Sequence, residues 1–234
     1  MKTWQTSTGI KITRILGGRS NVFLVSNGKI NLLTDTSPAF MRHRLMKRLD
    51  HFNVKSIDFL ILTHTHFDHA ANACQLKEKF GLKVIVHKTE AGFLNSGDSP
   101  IPAGTNTFTR WLVRNAGEWF RKMVRYKSCN PDQLIHQNFS LLPFGINAEI
   151  IHTPGHSDGS ICLVIDNEIA LVGDTLIGTF PRSCFPPFAD NKPALIKSWQ
   201  ILIKTGCSLF LPSHGSARTH EFLKKNLRKR LNIS

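Results

Sequence analysis

Ile61-Leu62-Thr63-His64-Thr65-His66-Phe67-Asp68-His69 is the stretch on which the reading of this chain turns. His64, His66, Asp68 and His69 are four potential metal ligands in close succession. The apolar run Phe59-Leu60-Ile61-Leu62 before them reads as a short buried strand, so the ligands begin where a strand ends. On an extended backbone His64, His66 and Asp68 alternate onto one side. His69 comes one residue later, where Ala70-Ala71-Asn72-Ala73 favours a helix, and a turn there sends it to a different side of the same cavity. One short loop can then hold two neighbouring cations. Imidazole and carboxylate are the ligands that zinc and similar first-row metals take. A lone His-x-His pair would carry little weight, but the full pattern directly after an apolar strand marks a metal site.

The rest of the chain is ordinary in bulk. It has 234 residues, 41% hydrophobic and 20% charged, enough for one sizeable core. No apolar run is as long as the ~18 residues of a membrane span, and Met1-Lys2-Thr3-Trp4-Gln5-Thr6 lacks the apolar core of a signal peptide. Cys74, Cys129, Cys162, Cys184 and Cys207 are scattered and odd in number. They read as reduced, packed thiols and a cytoplasmic location is expected. The formal charge of +14 speaks to partners, namely anionic substrates, nucleic acid or an anionic membrane face.

Strands are expected over Ile10 to Leu16, Val22 to Val25 and Ile30 to Thr34, with Asn27-Gly28 as a hairpin signal. Ser37-Pro38 then reads as a helix start, followed by Leu45, Leu49 and Phe52 at helical spacing. A helix from Ala73 through Leu76 and Phe80 stops at Gly81, and Lys83 to His87 is a strand. Residues 92 to 107 read as a breaker-rich loop. Phe108 to Tyr126 follows as a helix with Phe108, Trp111, Leu112, Trp119, Phe120 and Met123 near one face and Arg110, Arg114, Arg121, Lys122 and Arg125 away from it. Further strands fall near Ser140 to Leu142, Ala148 to His152, Ile161 to Ile165, Ile169 to Val172 and Ser208 to Leu211. Asn191 and Pro193 open a helix that Gly206 stops, and Glu221 to Leu231 is a basic terminal helix. Two successive sets of strands then helices predict one α/β domain over 1–234, with two mixed sheets face to face and helices outside. Residues 92–130 are the inserted helical segment, expected to act as a lid, with Trp111, Trp119 and Phe120 as an apolar wall over the site and Arg114, Arg121 and Arg125 facing water.

Later candidates share one local grammar: an apolar strand ends, a Gly or Pro turn follows, and a ligand stands at the rim. Ile150-Ile151-His152-Thr153-Pro154-Gly155-His156, Leu171-Val172-Gly173-Asp174 and Phe210-Leu211-Pro212-Ser213-His214 all end this way. The His-x-His-x-Asp-His stretch, followed in order by Gly155-His156-Ser157, Gly173-Asp174-Thr175 and Ser213-His214-Gly215, resembles the metallo-β-lactamase-fold hydrolases. That resemblance implies the four-layer αββα sandwich. It implies His64, His66 and His156 on a first metal, Asp68, His69 and His214 on a second, and Asp174 bridging both. The cofactors implied are two divalent ions, zinc first, with manganese or iron as competitors. The implied mechanism is attack by a metal-bridging hydroxide, with Asp68 as the catalytic residue that orients it. His152 reads as an outer residue behind the ligands, His87 as structural or outer, and His43, His51, His136 and His220 as surface or packing residues.

Within the superfamily, Gly-Asp-Thr-Leu at Asp174 is similar to the glyoxalase II and lactonase branch. β-Lactamases lack that aspartate, and the Arg-Thr-Asp-Phe-Gln run of the persulfide dioxygenases is replaced here by Gly178-Thr179-Phe180-Pro181-Arg182. Ala70-Ala71-Asn72 departs from the paired glycines of glyoxalase II, and Tyr126 does not stand where lactonases place their tyrosine. The expected function is hydrolysis of a small ester, thioester or lactone, possible anionic character of the substrate included. The alternative is a phosphodiesterase or nuclease using the same centre. Nucleic acid is the less favoured partner, and a homo-oligomer is compatible with the sequence.

Overall fold

The computed structural model describes residues 2–232. Two sheets form its centre. The first runs β1 (Thr3–Gln5), β2 (Lys11–Leu16), β3 (Val22–Ser26), β4 (Asn31–Thr34), β5 (Phe59–Ile61), β6 (Lys83–His87) and β7 (Gln133–Ile135) side by side in chain order. β1 to β4 pair antiparallel, while β4 to β7 pair parallel. The second sheet holds β8 (Phe139–Ser140), β9 (Ala148–His152), β10 (Ile161–Ile165), β11 (Ile169–Leu171), β12 (Leu209–Leu211) and β13 (Arg218–Thr219). Only β11 and β12 are parallel there.

Residues that alternate along a strand divide between the two faces of its sheet, and three cores result. Ile12, Val25 and Ile61 of the first sheet pack with Ile150, Leu163 and Leu211 of the second. The outer face of the first sheet, with Leu33, Leu60 and Val84, is covered by α1 (Arg42–His51) and α3 (Ala73–Phe80) through Leu45, Leu49 and Leu76. The outer face of the second, with Cys162, Ala170 and Phe210, is covered by α6 (Lys192–Lys204) and α7 (His220–Leu231) through Trp199, Leu202 and Leu223. This is the expected αββα sandwich.

Local differences have physical causes. Ser37 takes a left-handed φ of 68° and is buried, so it caps nothing; a 3-10 turn over Ala39–Met41 leads into α1 instead. The segment expected as a loop after Gly92 contains the short α4 (Ala91–Ser96), for which Gly97 is the left-handed C-terminal stop. The long basic helix, α5 (Thr107–Met123), starts at a capping box made by Asn106 and Thr109 and ends before Tyr126. β1 and β7 were not expected; both are three-residue edge strands with no alternation to read.

Parallel pairing decides where the chemistry goes. β4, β5 and β6 point the same way, so Asp35, the His64 loop and Glu90 all follow carboxyl ends on one rim. In the second sheet β9, β11 and β12 share a direction through the pairing of each with its neighbour. His156, Asp174 and His214 therefore leave on one rim as well.

Candidate metal centre

The ligand-rich loop departs from simple alternation after His66. The His66 carbonyl accepts from the His69 and Ala70 amides at 2.9 and 3.0 Å, closing the first turn of α2 (Phe67–Ala70). His64 and His66 thus precede the helix, whereas Asp68 and His69 stand within it and not on extended chain. Close approach holds this loop against the next. A Cβ on Gly173, whose φ is +51°, would lie 2.7 Å from the Thr63 side chain, so only glycine lets the Asp174 turn approach the His64 turn.

Seven side chains converge. The ligand atoms of His64, His66 and His156 lie within 4.8 Å of one another, as do those of Asp68, His69 and His214, and those of His64, His69 and Asp174. His66 Nδ1 faces His156 Nε2 at 3.0 Å. One Asp174 oxygen is 3.7 Å from His156 Nε2 and 3.4 Å from His214 Nε2, and the other is 3.8 Å from His69 Nε2. Asp174 thus stands between the two outer trios.

The backs of three rings are fixed. His69 Nδ1 donates to the buried Asp35 carboxylate at 2.9 Å, His156 Nδ1 to the Phe188 carbonyl at 2.9 Å, and His214 Nδ1 to the Arg19 carbonyl at 2.7 Å. Each bond leaves the Nε2 lone pair aimed at the centre. His64 Nε2, His69 Nε2 and Asp174 Oδ1 are buried without a hydrogen-bond partner. Orphaned buried polar atoms are costly, and these are the atoms a divalent cation would satisfy. The residues present fit that group.

Two electrostatic regimes divide the centre. Burial, with His69 and the other imidazoles around it, holds His64 well below an ordinary imidazole, and burial and His156 hold His66 down at about 3. Burial works the same way on His69 and His214, but there the carboxylates prevail. Asp68, Asp35 and Asp174 lift His69 to about 9, and Asp174 and Asp68 lift His214 to about 11. Against their own burial, Asp68 is held at about 2 by His69 and His214, and Asp174 falls below the usual carboxylate range beside His214 and His69. The carboxylate pair draws positive charge to this half of the centre, as protons or as a metal cation.

Supporting residues that the sequence reading missed lie behind the rim. Asp35 accepts from the Thr63 amide at 2.9 Å, from the Thr63 hydroxyl and from Ser213 Oγ at 2.8 Å as well as from His69, so it ties both ends of the His64–His69 loop to the His214 turn. Buried Glu90 accepts from the Thr65 amide at 3.0 Å and from the Gly159 amide at 3.2 Å, joining the His64–His66 loop to the turn after His156. The Tyr126 hydroxyl donates to the Thr65 carbonyl at 2.7 Å, and burial pushes its phenol far above an ordinary tyrosine. Tyr126 therefore braces the loop. His152 stacks on His87 at 4.2 Å and bonds the Asp158 carbonyl at 2.8 Å through Nε2, so it supports the His156 turn from outside. His43, His51, His136 and His220 do not line the cavity. All five cysteines are unpaired, and burial pushes Cys162 and Cys184 up to about 12.

The centre is the floor of a cavity of about 560 Å³. His66, Asp68, His156, Asp174 and His214 line its base, while Phe67, Ile177, Phe188 and the inner face of α5 form apolar walls. The inner face presents Val113, Ala116, Phe120 and Val124, and Phe120 meets Phe67 edge-on at 5.4 Å. Two expectations for this helix need correction. Trp111 does not wall the cavity; it points outward and is 57% exposed. Arg121 is half-buried, and although Arg125 is exposed as expected, neither guanidinium is free. Both line the cavity and both clamp Asp98 at 2.7 Å, because Asp98 follows α4 directly beneath them.

Comparison with known proteins agrees with this architecture. The family model described as "Metallo-beta-lactamase superfamily" matches residues 15–214, and the chain belongs to that superfamily. A probable metallo-hydrolase of Methanocaldococcus jannaschii is 31% identical over 160 residues, covering 68% of each chain. The human acyl-coenzyme A thioesterase MBLAC2 is 30% identical over 203 residues, covering 77% of this chain and 68% of that one. The solved structure of the metallo-beta-lactamase SMB-1 bound to 2-mercaptoethanesulfonate superposes with a TM-score of 0.69 at 14% identity, covering 99% of this chain and 95% of that one. At that identity the likeness concerns the fold alone. Among the described residues no helix is long and apolar enough to cross a membrane.

Proposed function

We propose that this chain is a dinuclear metal-dependent hydrolase of carboxylic thioesters or esters that carry an apolar acyl group. The observation that carries the reading is the coincidence of the seven-residue centre with the floor of an apolar cavity. His64, His66 and His156 would hold one cation, and Asp68, His69 and His214 the other, with Asp174 shared between them. The imidazole-rich set suits zinc, with manganese or iron as competitors. Bound divalent cations would supply an acidified water and polarise the substrate carbonyl.

The chain's own residues do the rest. Asp35 fixes the His69 tautomer, and Phe188 and Arg19 fix those of His156 and His214 through their carbonyls. Asp68, on the first turn of α2, would accept a proton from the attacking water and so orient it. Phe67, Phe120 and Val124 exclude bulk water and take the acyl portion. α5 acts as the roof of this cavity, the lid of a single domain. The thioesterase name of the human relative supports the thioester class, and the apolar walls support the acyl one.

A phosphodiester or nucleic-acid substrate fits less well. The cationic groups in the cavity wall, Arg121 and Arg125, are already paired, both with Asp98 and Arg121 also with Glu118. The test combines elemental analysis of purified protein with a panel of acyl thioesters, lactones and phosphodiesters. Close to two metal equivalents and a preference for apolar acyl thioesters are expected. One equivalent at most after reconstitution, or a phosphodiester preference, would overturn the reading.

A further inference from the structure

α5 has a second apolar face that the cavity uses only at its edge, through Leu112 and Trp119. At 100° per residue, Val113, Ala116, Phe120 and Val124 form the inner arc. Phe108, Trp111, Leu112, Trp119 and Met123 fall on a different arc, of about 120°. These side chains are out in water: Phe108 and Trp119 are 68% exposed and Met123 59%. Side chains of this size are rarely left together on a free surface. Arg110 and Arg114 flank the arc and Lys122 lies within it; none of the three makes an ion pair among the described residues. The one acidic residue of the helix, Glu118, is 3.5 Å from Arg121. Trp119, Leu112 and Phe180 both face outward and line the cavity, so its mouth opens at this surface.

We infer that the outer face of α5, with Phe180 beside it, is a docking surface for an anionic lipid bilayer. Large apolar and indole side chains next to unpaired cations are what an interfacial helix presents, its apolar face sinking ~5–10 Å into the headgroup boundary. Trp is well suited to that boundary, since its ring is apolar and its N–H stays wet. The charge of the chain, +14, favours anionic lipid over a neutral surface or a second, equally cationic copy of itself. Docking sets the cavity mouth against the bilayer, so that an acyl chain held in the membrane enters without crossing water. That last consequence rests on the acyl substrate proposed above; the docking itself does not.

The test is flotation of the metal-loaded protein with vesicles, without substrate. Wild type should float with phosphatidylcholine mixed with phosphatidylglycerol, less so at high salt, and stay behind with phosphatidylcholine alone. Phe108→Ser/Trp111→Ser and Arg110→Glu/Arg114→Glu should each weaken flotation at least about tenfold. All of these positions are on the surface, and none lines the cavity, so hydrolysis of a short water-soluble substrate should be unchanged. The inference is overturned if wild type ignores the anionic vesicles, or if the aromatic double variant floats as wild type does. It is equally overturned if light scattering finds a wild-type dimer that the aromatic variant dissolves while neither floats, since the face then joins two copies. A failed substrate panel with intact flotation would count against the proposed reaction alone.

Discussion

The floor and the roof of the cavity are built on opposite principles. On the floor His64 and His69 are fully buried, the rings of His69, His156 and His214 each have a partner behind them, and the turns that carry the candidate ligands are cross-tied by Asp35 and Glu90. In the roof, α5 buries one residue, Thr109, and is held at its ends: by the Asn106 capping box, and by Arg121 and Arg125 on Asp98. The floor gives up freedom for geometry, which a metal centre needs to within a fraction of an ångström. The roof keeps freedom, since few of its side chains are packed, which suits the acyl-binding lid proposed above.

The largest effect should come from the floor. His66→Ala or Asp174→Ala should nearly abolish turnover and lower the metal content, read by elemental analysis and steady-state kinetics. Stripping metal from wild type with a chelator should give the same loss of activity, restored on adding zinc. If Asp174→Ala keeps both metal equivalents and most of its activity, the shared role of Asp174 fails.

One layer further out, Asp35→Asn should weaken metal affinity ~10–100-fold, because the His69 ring loses its anionic partner. Glu90→Gln should cost less, since the amide oxygen can still accept from Thr65. His152→Ala should cost less again, about tenfold or under, with metal content intact. An effect of His152→Ala as severe as that of His66→Ala would break the distinction between ligand and support.

The contrast also explains what could be read in advance. The convergence of the His64–His69 stretch was legible because residue types that can bind metal are compressed at a strand end, and that of Asp174 and His214 because they repeat that position. Asp35 left a fainter trace: it too follows an apolar strand, in Thr34-Asp35-Thr36-Ser37, but a single acid in a polar run has no periodicity to give it away. Glu90 left none. Its role comes from β5 and β6 lying side by side, a long-range pairing that local pattern does not encode. The existence of α5 was legible from its amphipathic spacing, but its orientation was not. The sequence shows two apolar arcs, and only the packing of Phe120 on Phe67 says which one turns inward. Asp98, a loop residue in sequence, is what draws Arg121 and Arg125 to the cavity wall.

The smallest expected effect probes the roof and is read as a slope. Each methylene moved from water to an apolar wall contributes about 0.8 kcal/mol, which is about a fourfold gain in kcat/KM per carbon while the chain still finds new wall. A series of straight-chain acyl thioesters on wild type should therefore rise at up to that rate and level off once the cavity is filled. Phe120→Ala should flatten the rise most, because Phe120 faces inward and touches Phe67. Trp119→Ala should flatten it less, about two- to threefold at the longest chain, since that indole is largely in water and covers only the mouth. Neither substitution should change metal content, because no ligand contacts these rings. If both variants keep the wild-type slope, the acyl group lies elsewhere, and α5 shields the centre without selecting what enters it. If Trp119→Ala exceeds Phe120→Ala, the chain rests along the mouth of the cavity and not within it.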